Sequence, residues 1–321
     1  MKHSEFTKTF HWMNGLSEYF RATGQEEKYE PIFKALYHQN YYRKRDIIMN
    51  MMEGKYEGIE KVPYALRRSW VNMLLNEHFD EIEVKAELIT SLIATVSDDD
   101  FVNRICSFIN YFVVDHQHDL LLPDLGDFLS RGQVKSKIWL ATELAKCVEG
   151  GLGNVVFYGG WYNFVAYFLF SQFNVNKIYS IDLDENVVIP SERLYQKEYK
   201  EKRFIPVAYD VNKIKWNNNN LIIDTYTNKH DAATWTQDPI DEKINIVVNT
   251  SCEHMNNEWF DNLPDGTLVV LQTNDYFENE QHSNCCKDLE EAKNKYSMQS
   301  VMYEGELDTS LYNRFMLIGI K

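Results

Sequence analysis

Cysteine is sparse and irregular in this chain. Five cysteines (Cys106, Cys147, Cys252, Cys285 and Cys286) stand among 321 residues, an odd count with no recurrent spacing. That excludes a disulfide framework and points to reduced thiols inside a cell. Long apolar runs are missing too: none approaches the ~18 residues that a membrane-spanning helix needs. The N-terminal Met-Lys-His-Ser-Glu-Phe lacks an apolar signal core. A cytoplasmic protein with no membrane partner is the expectation. Positive charge is also short, with 33 Lys and Arg against 48 Asp and Glu and a formal net charge of -15. Residues 1–150 carry 18 basic and 23 acidic side chains, and 151–321 carry 15 and 25. Neither half offers the basic face that a large duplex nucleic acid requires, so a small-molecule substrate is the expected partner.

What the chain does have is apolar and aromatic mass, 44% and 14% of residues, enough for a substantial core. Its length makes two domains the default. Residues 1–125 read as a separate all-α domain. Phe6, Phe10, Met13, Leu16, Tyr19 and Phe20 recur at three- and four-residue spacing, and Gly24 ends that helix. Further helices are expected over Tyr29 to Met52, from Pro63 through Leu74, over Ile82 to Val96 and over Phe101 to Val113. The acidic run Ser97-Asp-Asp-Asp100 caps the last of these. This domain would serve as a lid over a substrate or as an oligomerisation surface, for instance in a homodimer.

Residues 126–321 alternate strand and helix. Val155, Val156 and Phe157 form a buried strand that Gly159 and Gly160 break, and Phe164 to Phe173 is apolar enough for the helix that follows. Ile178 to Ile181 is a second strand, ending on Asp182. Strand, glycine turn, helix, strand and terminal acid make one βαβ unit able to hold a nucleoside. The remaining strands are expected at Arg203 to Tyr209, Ile244 to Val248, Thr267 to Leu271, Gln299 to Tyr303 and Arg314 to Ile320. A helix spans Asn186 to Lys200. Lys213 to Asp241 is a polar, Asn-rich insertion containing Leu221-Ile-Ile-Asp224. Ahead of the first strand, Arg131, Gln133, Ser136 and Lys137 crowd polar groups where a helix entering the sheet lies beside the ligand crevice. Arg131 and Lys137 are therefore candidates to grip a ligand carboxylate; an ordinary surface helix turn is the other reading. Glu253 and His254, adjacent at the end of a central strand, converge two ionisable groups on the same crevice, and capping of the following helix is their structural alternative.

This ordered set resembles the class I S-adenosylmethionine-dependent methyltransferases over about residues 130–321. The resemblance implies an α/β, doubly wound, mainly parallel seven-stranded Rossmann-like sheet that binds S-adenosyl-L-methionine. The family's glycine motif falls on Tyr158-Gly159-Gly160-Trp161, shorter than usual and with Trp161 and Tyr162 where small residues are typical. Its ribose acid corresponds to Asp182, with Asp184 as second choice. Its adenine contacts correspond to Asp210 and the backbone of Val211. Its substrate-facing segment corresponds to Asn249 through Met255, which assigns Asn249, Glu253 and His254 to the reacting end. His254 is the natural base for an amine or hydroxyl acceptor. Tyr158, Trp161, Tyr162 and Tyr209 offer aromatic faces that stabilise a sulfonium by ~0.5–2 kcal/mol each. Some relatives hold a divalent metal with a Glu-His pair here, but the second carboxylate of that pattern falls on Thr250. His282 could add a ligand or base, and no metal ligand set is assigned. A nicotinamide-type Rossmann domain is disfavoured because the six-residue Gly-x-Gly-x-x-Gly is absent. Methyl transfer to a small N- or O-acceptor is the leading expectation. Transfer or cyclisation of the aminocarboxypropyl arm, releasing methylthioadenosine, is the alternative, and a non-catalytic nucleoside sensor is the third.

Overall fold

A computed structural model describes residues 12–37, 41–75, 82–111, 125–223, 227–230, 233–236 and 239–321. The chain forms two compact units, residues 1–135 and 136–321. The first is helical: α1 (Met13–Ala22), α2 (Glu26–Tyr37), α3 (Tyr41–Met52), α4 (Tyr64–Leu75), α5 (Ile82–Val96) and α6 (Asp100–Asn110), followed by the start of α7 (Arg131–Cys147). Met13, Leu16, Tyr19 and Phe20 are buried on one face of α1; Phe6 and Phe10 lie outside the described residues. Gly24, at φ +71°, takes the left-handed conformation that stops α1. The helix expected over Tyr29 to Met52 is described as two, α2 and α3. Asp99 caps α6, accepting from the backbone N–H of Phe101 and Val102 at 2.9 and 3.4 Å.

The second unit is built on a sheet of β1 (Gly151–Tyr158), β2 (Asn174–Asp182), β3 (Phe204–Ala208), β9 (Ile246–Asn249), β10 (Leu268–Asn274), β11 (Ser300–Asp308) and β12 (Asn313–Ile320), among twelve strands numbered along the described residues. Their order is β11-β12-β10-β9-β1-β2-β3. β3, β2, β1, β9 and β10 run parallel, and β12 returns antiparallel between β10 and β11. That is the expected seven-stranded layout. The sheet also exceeds it: β6 (Thr227–His230) and β7 (Ala233–Thr236) extend the edge beyond β3. The rest of the insertion folds as an antiparallel sheet of β4 (Lys215–Asn217), β5 (Asn220–Ile223) and β8 (Ile240–Lys243). Its Leu221, Ile223 and Ile240 pack with Val156, Ile181, Val207, Val247 and Leu271 in one apolar cluster, so the insertion covers a face of the main sheet.

Two local features position the crevice. α7 is tied to the sheet where Gln272 Nε2 donates to the Ser136 carbonyl at 3.1 Å and Trp139 Nε1 donates to the Tyr303 hydroxyl at 3.1 Å. The helix expected over Asn186 to Lys200 is interrupted at Tyr195 (φ -110°, ψ 34°), between α9 (Val188–Leu194) and α10 (Gln196–Lys200). The interruption has a cause: the Tyr195 hydroxyl donates to the Asn163 carbonyl at 2.6 Å, and its ring packs 4.3 Å from Phe204. One side chain leaves the helix register to brace the glycine turn.

Candidate functional site

β1 lies between β2 and β9, where the strand order reverses, and an open α/β sheet leaves its ligand crevice at that point. The chain leaving β1 there is unusual. Gly159 (φ +63°), Trp161 (φ +47°) and Asn163 (φ +52°) all take the left-handed region within five residues, before α8 (Phe164–Gln172). Two of the three are not glycine, and such residues cost of order 1–3 kcal/mol each unless their surroundings hold them. The holding contacts are present. Trp161 stacks on buried Tyr162 with ring centroids 4.8 Å apart. Ser191 Oγ donates to the Trp161 carbonyl at 3.1 Å, and Ser251 Oγ donates to the Gly159 carbonyl at 3.0 Å. Gly160 is required by space rather than by its dihedral: a Cβ there would stand 2.3 Å from Ser180 Oγ.

Asp182 closes this turn from the neighbouring strand. Its Oδ2 accepts the Trp161 N–H at 2.7 Å and its Oδ1 accepts the Asp184 N–H at 3.0 Å. Burial raises its carboxyl above the ordinary range, against the pull of these two donors. Asp184 is committed locally, capping the turn that starts at Glu185 by accepting from the Asn186 backbone and side chain at 2.9 and 2.7 Å. Between the two acids, Leu183 is 77% exposed, an apolar side chain held in solvent at the rim. Asp210 and Val211 follow β3, where Asp210 caps a short turn through the Asn212 N–H at 3.0 Å and lies 3.6 Å from Lys213 Nζ. Tyr209 N–H donates to the Asp182 carbonyl at 2.8 Å, which links the tips of β2 and β3.

Beyond β9 the geometry changes character. Asn249 is fully buried; it accepts the Ser251 N–H at 2.9 Å and directs its amide to Met255 Sδ at 3.1 Å, so it shapes the loop. Cys252 is a buried thiol pushed well above its usual range by burial, and its Sγ faces the Asn249 carbonyl at 3.7 Å; it is no nucleophile. Glu253 is 2% exposed, and its Oε1 accepts Asn274 Nδ2 at 2.6 Å and faces Arg314 Nη2 at 3.4 Å. Arg314 is equally buried, with Nη1 donating to the Thr250 carbonyl at 3.1 Å and Nη2 donating to the Tyr312 hydroxyl at 3.2 Å. Sequence reasoning missed Asn274 and Arg314. The signal for Arg314 was a lone charge opening the otherwise apolar strand Phe315 to Ile320. His254 is exposed, and its ring meets His282 edge-on with centroids 4.6 Å apart.

The structure thus gathers Gly159, Gly160, Trp161, Asp182 and the Asn249–His254 loop around the switch point. Tyr158 departs from its expected place: its side chain is 1% exposed in the core, edge-to-face with Trp259 at 5.9 Å, and only its backbone reaches the strand tip. Arg131 belongs to the helical unit, where its Nε donates to Glu18 Oε2 at 2.8 Å. Lys137 is buried within α7. An open groove of about 440 Å³ lies past the tip of β10, lined by Asp275, Tyr276, Phe277, Glu278, Leu311 and Tyr312 among others. Tyr276 and Tyr312 stack at 5.5 Å in its wall, and Phe277 and Leu311 are 61% and 70% exposed.

No protein-family model matches the sequence, and no curated protein matches it. Solved structures do. The fold is similar to an S-adenosylmethionine-dependent methyltransferase from Clostridium acetobutylicum, at 10% identity and a TM-score of 0.42 over 62% of this chain and 96% of that one. It is similar to the N-methyltransferase NodS of Bradyrhizobium japonicum in complex with S-adenosyl-L-homocysteine, at 8% identity and 0.39 over 69% and 99%. A methyltransferase from Aquifex aeolicus gives 13% identity and 0.36 over 56% and 88%.

Proposed function

We propose that the chain is a methyltransferase that binds S-adenosyl-L-methionine at the β1/β2 switch point and methylates a small molecule. One observation carries this reading: Asp182 stands at the tip of β2 with its carboxylate bonded to the N–H of Trp161 in the glycine turn. A carboxylate so placed has remaining lone pairs for both hydroxyls of a ribose. The exposed Leu183 beside it gives an apolar face to a base, and Asp210 with Val211 offers polar contacts to the base edge. The Trp161 ring supplies an aromatic surface for a sulfonium.

Methyl transfer from a sulfonium is an in-line displacement in which proximity and alignment supply most of the rate. The open groove of about 440 Å³ at the tip of β10 supports an acceptor of small-molecule size, and its carboxylates Asp275 and Glu278 favour a neutral or cationic one. The exposure of His254 beside Glu253 supports a role for its imidazole as the base that takes the proton an amine or hydroxyl releases.

The test is product analysis. The purified chain incubated with S-adenosylmethionine and a panel of small amines and alcohols should release S-adenosylhomocysteine, read by mass spectrometry. Methylthioadenosine in its place would transfer the assignment to the aminocarboxypropyl arm. Absence of binding at millimolar S-adenosylmethionine would overturn the cofactor itself.

A further inference from the structure

α9 and the residue that ends it turn two hydroxyls on the glycine turn. Ser191 and Tyr195 stand one helical turn apart, with the Tyr195 N–H donating to the Ser191 carbonyl at 3.0 Å. Ser191 Oγ donates to the Trp161 carbonyl at 3.1 Å, and the Tyr195 hydroxyl donates to the Asn163 carbonyl at 2.6 Å. Both side chains are fully buried. The residues they grip, Trp161 and Asn163, are the two in the turn that hold a positive φ without being glycine. Each strained residue has its own hydroxyl.

The Tyr195 oxygen is also placed inside a helix. In a regular α-helix the Tyr167 N–H would pair with the Asn163 carbonyl, four residues back. Here the Tyr167 N–H donates to the Tyr195 hydroxyl at 3.1 Å, and that hydroxyl in turn donates to Asn163. A phenol oxygen thus stands in the first turn of α8, a side-chain insertion of the kind that bends a helix. It leaves the Asn163 carbonyl bonded without requiring helical geometry there. The rest of Asn163 is fixed as well: its N–H donates to the Gly160 carbonyl at 2.7 Å and its Nδ2 to Ser180 Oγ at 3.0 Å. At 3% exposure, Asn163 is a strut and no ligand contact.

We infer that Ser191 and Tyr195 are positioning residues that clamp the glycine turn in the conformation that binds the nucleoside ligand. Each hydroxyl is buried and acts through the carbonyl it holds. What the clamp delivers is the Trp161 N–H, which donates to Asp182 Oδ2 at 2.7 Å and orients the carboxylate at the tip of β2. Glycine takes a positive φ at no steric cost, whereas Trp161 and Asn163 need their surroundings to hold them there. The two hydroxyls supply by hydrogen bonding what glycine would supply by freedom. Asp184 caps the turn Glu185–Val187, which runs straight into α9, so one short helix joins the carboxylate side of the site to its backbone side. Sequence reading missed the pair because its hydroxyls lie 30 and 32 positions from the carbonyls they hold.

The effect on the ligand rests on the methyltransferase reading; the effect on the turn rests on these hydrogen bonds alone. Tyr195→Phe removes one oxygen and keeps the ring against Phe204. In calorimetry with S-adenosylmethionine, Tyr195→Phe and Ser191→Ala should each weaken binding by at least about 5-fold, the loss of one hydrogen bond, with the far-ultraviolet circular dichroism unchanged. Asn163→Gly separates positioning from packing, because glycine holds a positive φ unaided. In that background Tyr195→Phe should cost less than about 2-fold, while Ser191→Ala, which acts on Trp161, keeps its full effect. Affinity that both hydroxyl variants retain, or a Tyr195→Phe loss that Asn163→Gly leaves unchanged, would overturn the clamp. Amide hydrogen exchange of the ligand-free chain reads the turn by itself: the Trp161 N–H, whose partner Asp182 is untouched, should exchange at least about 5-fold faster in either hydroxyl variant. Unchanged exchange would overturn the clamp. Faster exchange in the variants of a parent that takes no S-adenosylmethionine would count against the methyltransferase reading and leave the clamp standing.

Discussion

The two sides of the crevice are made of different material. On the β1–β2 side the backbone does the work: three left-handed residues, a glycine with no room for a Cβ, and a carboxylate bonded to main-chain N–H groups at a half-open rim. On the β9–β10–β12 side, side chains do it: Glu253, Asn274 and Arg314 form a buried, charged, hydrogen-bonded network. The first side is suited to taking a ligand, because its donors and acceptors still have capacity facing solvent. The second is suited to keeping a fixed charge arrangement, because removing either ion leaves the other uncompensated in a low dielectric. Damage to the first side should show in binding and damage to the second in stability.

The largest effect is expected on the buried side. Arg314→Met strands the Glu253 carboxylate and should cost about 3–5 kcal/mol of folding stability, measured by urea denaturation. A loss below about 1 kcal/mol would show that the network is not the rigid half of the site. Asp182→Ala should do the reverse. Its stability should stay within about 1 kcal/mol of the parent, while S-adenosylmethionine affinity falls by at least about 100-fold, since hydrogen bonds to a charged acceptor contribute about 1.5–3 kcal/mol each. Equal losses of stability and affinity in both variants would erase the distinction between the two sides.

Gly160→Ala tests the steric limit on the glycine turn. Its Cβ would meet Ser180 Oγ at 2.3 Å, so a loss of about 1–3 kcal/mol is expected. Adding Ser180→Ala removes that oxygen, along with its bond from Asn163 Nδ2, and should restore part of the loss. A double variant no better than the sum of its parts would place the strain elsewhere.

The smallest effect is in pH. Burial raises the Asp182 carboxyl, so its protonated form is favoured more in the folded than in the unfolded chain. Its contribution to stability is therefore fully present below the unfolded carboxyl pKa, about 3.9, and is lost as pH rises through the higher folded value. Ligand binding should run the other way, because in the proposed function it is the ionised form that accepts the ribose hydroxyls. Affinity should begin to fall on acidification at a pH above that of an ordinary aspartate, and the fall should be absent in Asp182→Asn. Isothermal titration across mildly acidic pH reads this directly.

The same contrast explains how much the sequence disclosed. The glycine turn and Asp182 were legible because their signals are contiguous: an apolar run, two glycines, a helix-length apolar stretch and a second run ending on an acid. Five such runs and a terminal pair carried the resemblance that implied a seven-stranded sheet, whereas the order of its strands comes from the structure. The buried network was not legible, because Glu253, Asn274 and Arg314 are separated by 21 and 40 positions and meet only through strand order. Asn249 reads as a reactive group by position, yet packing turns it inward to shape its own loop. Tyr158 sits on the core-facing side of its strand, a matter of pleat that a run of four apolar residues cannot reveal. The insertion defied periodicity because its strands are only three or four residues long, and β5 and β8 bury their apolar side chains against a neighbouring sheet.

The central claim is that the β1–β2 side is a nucleoside site built around one carboxylate. Calorimetry of the intact chain and of Asp182→Ala with S-adenosylmethionine tests it most directly. One ligand per parent chain and a loss of at least about 100-fold in the variant are expected, with both proteins folded. Binding that the variant retains at full strength, or no binding by the parent at millimolar ligand, would contradict it.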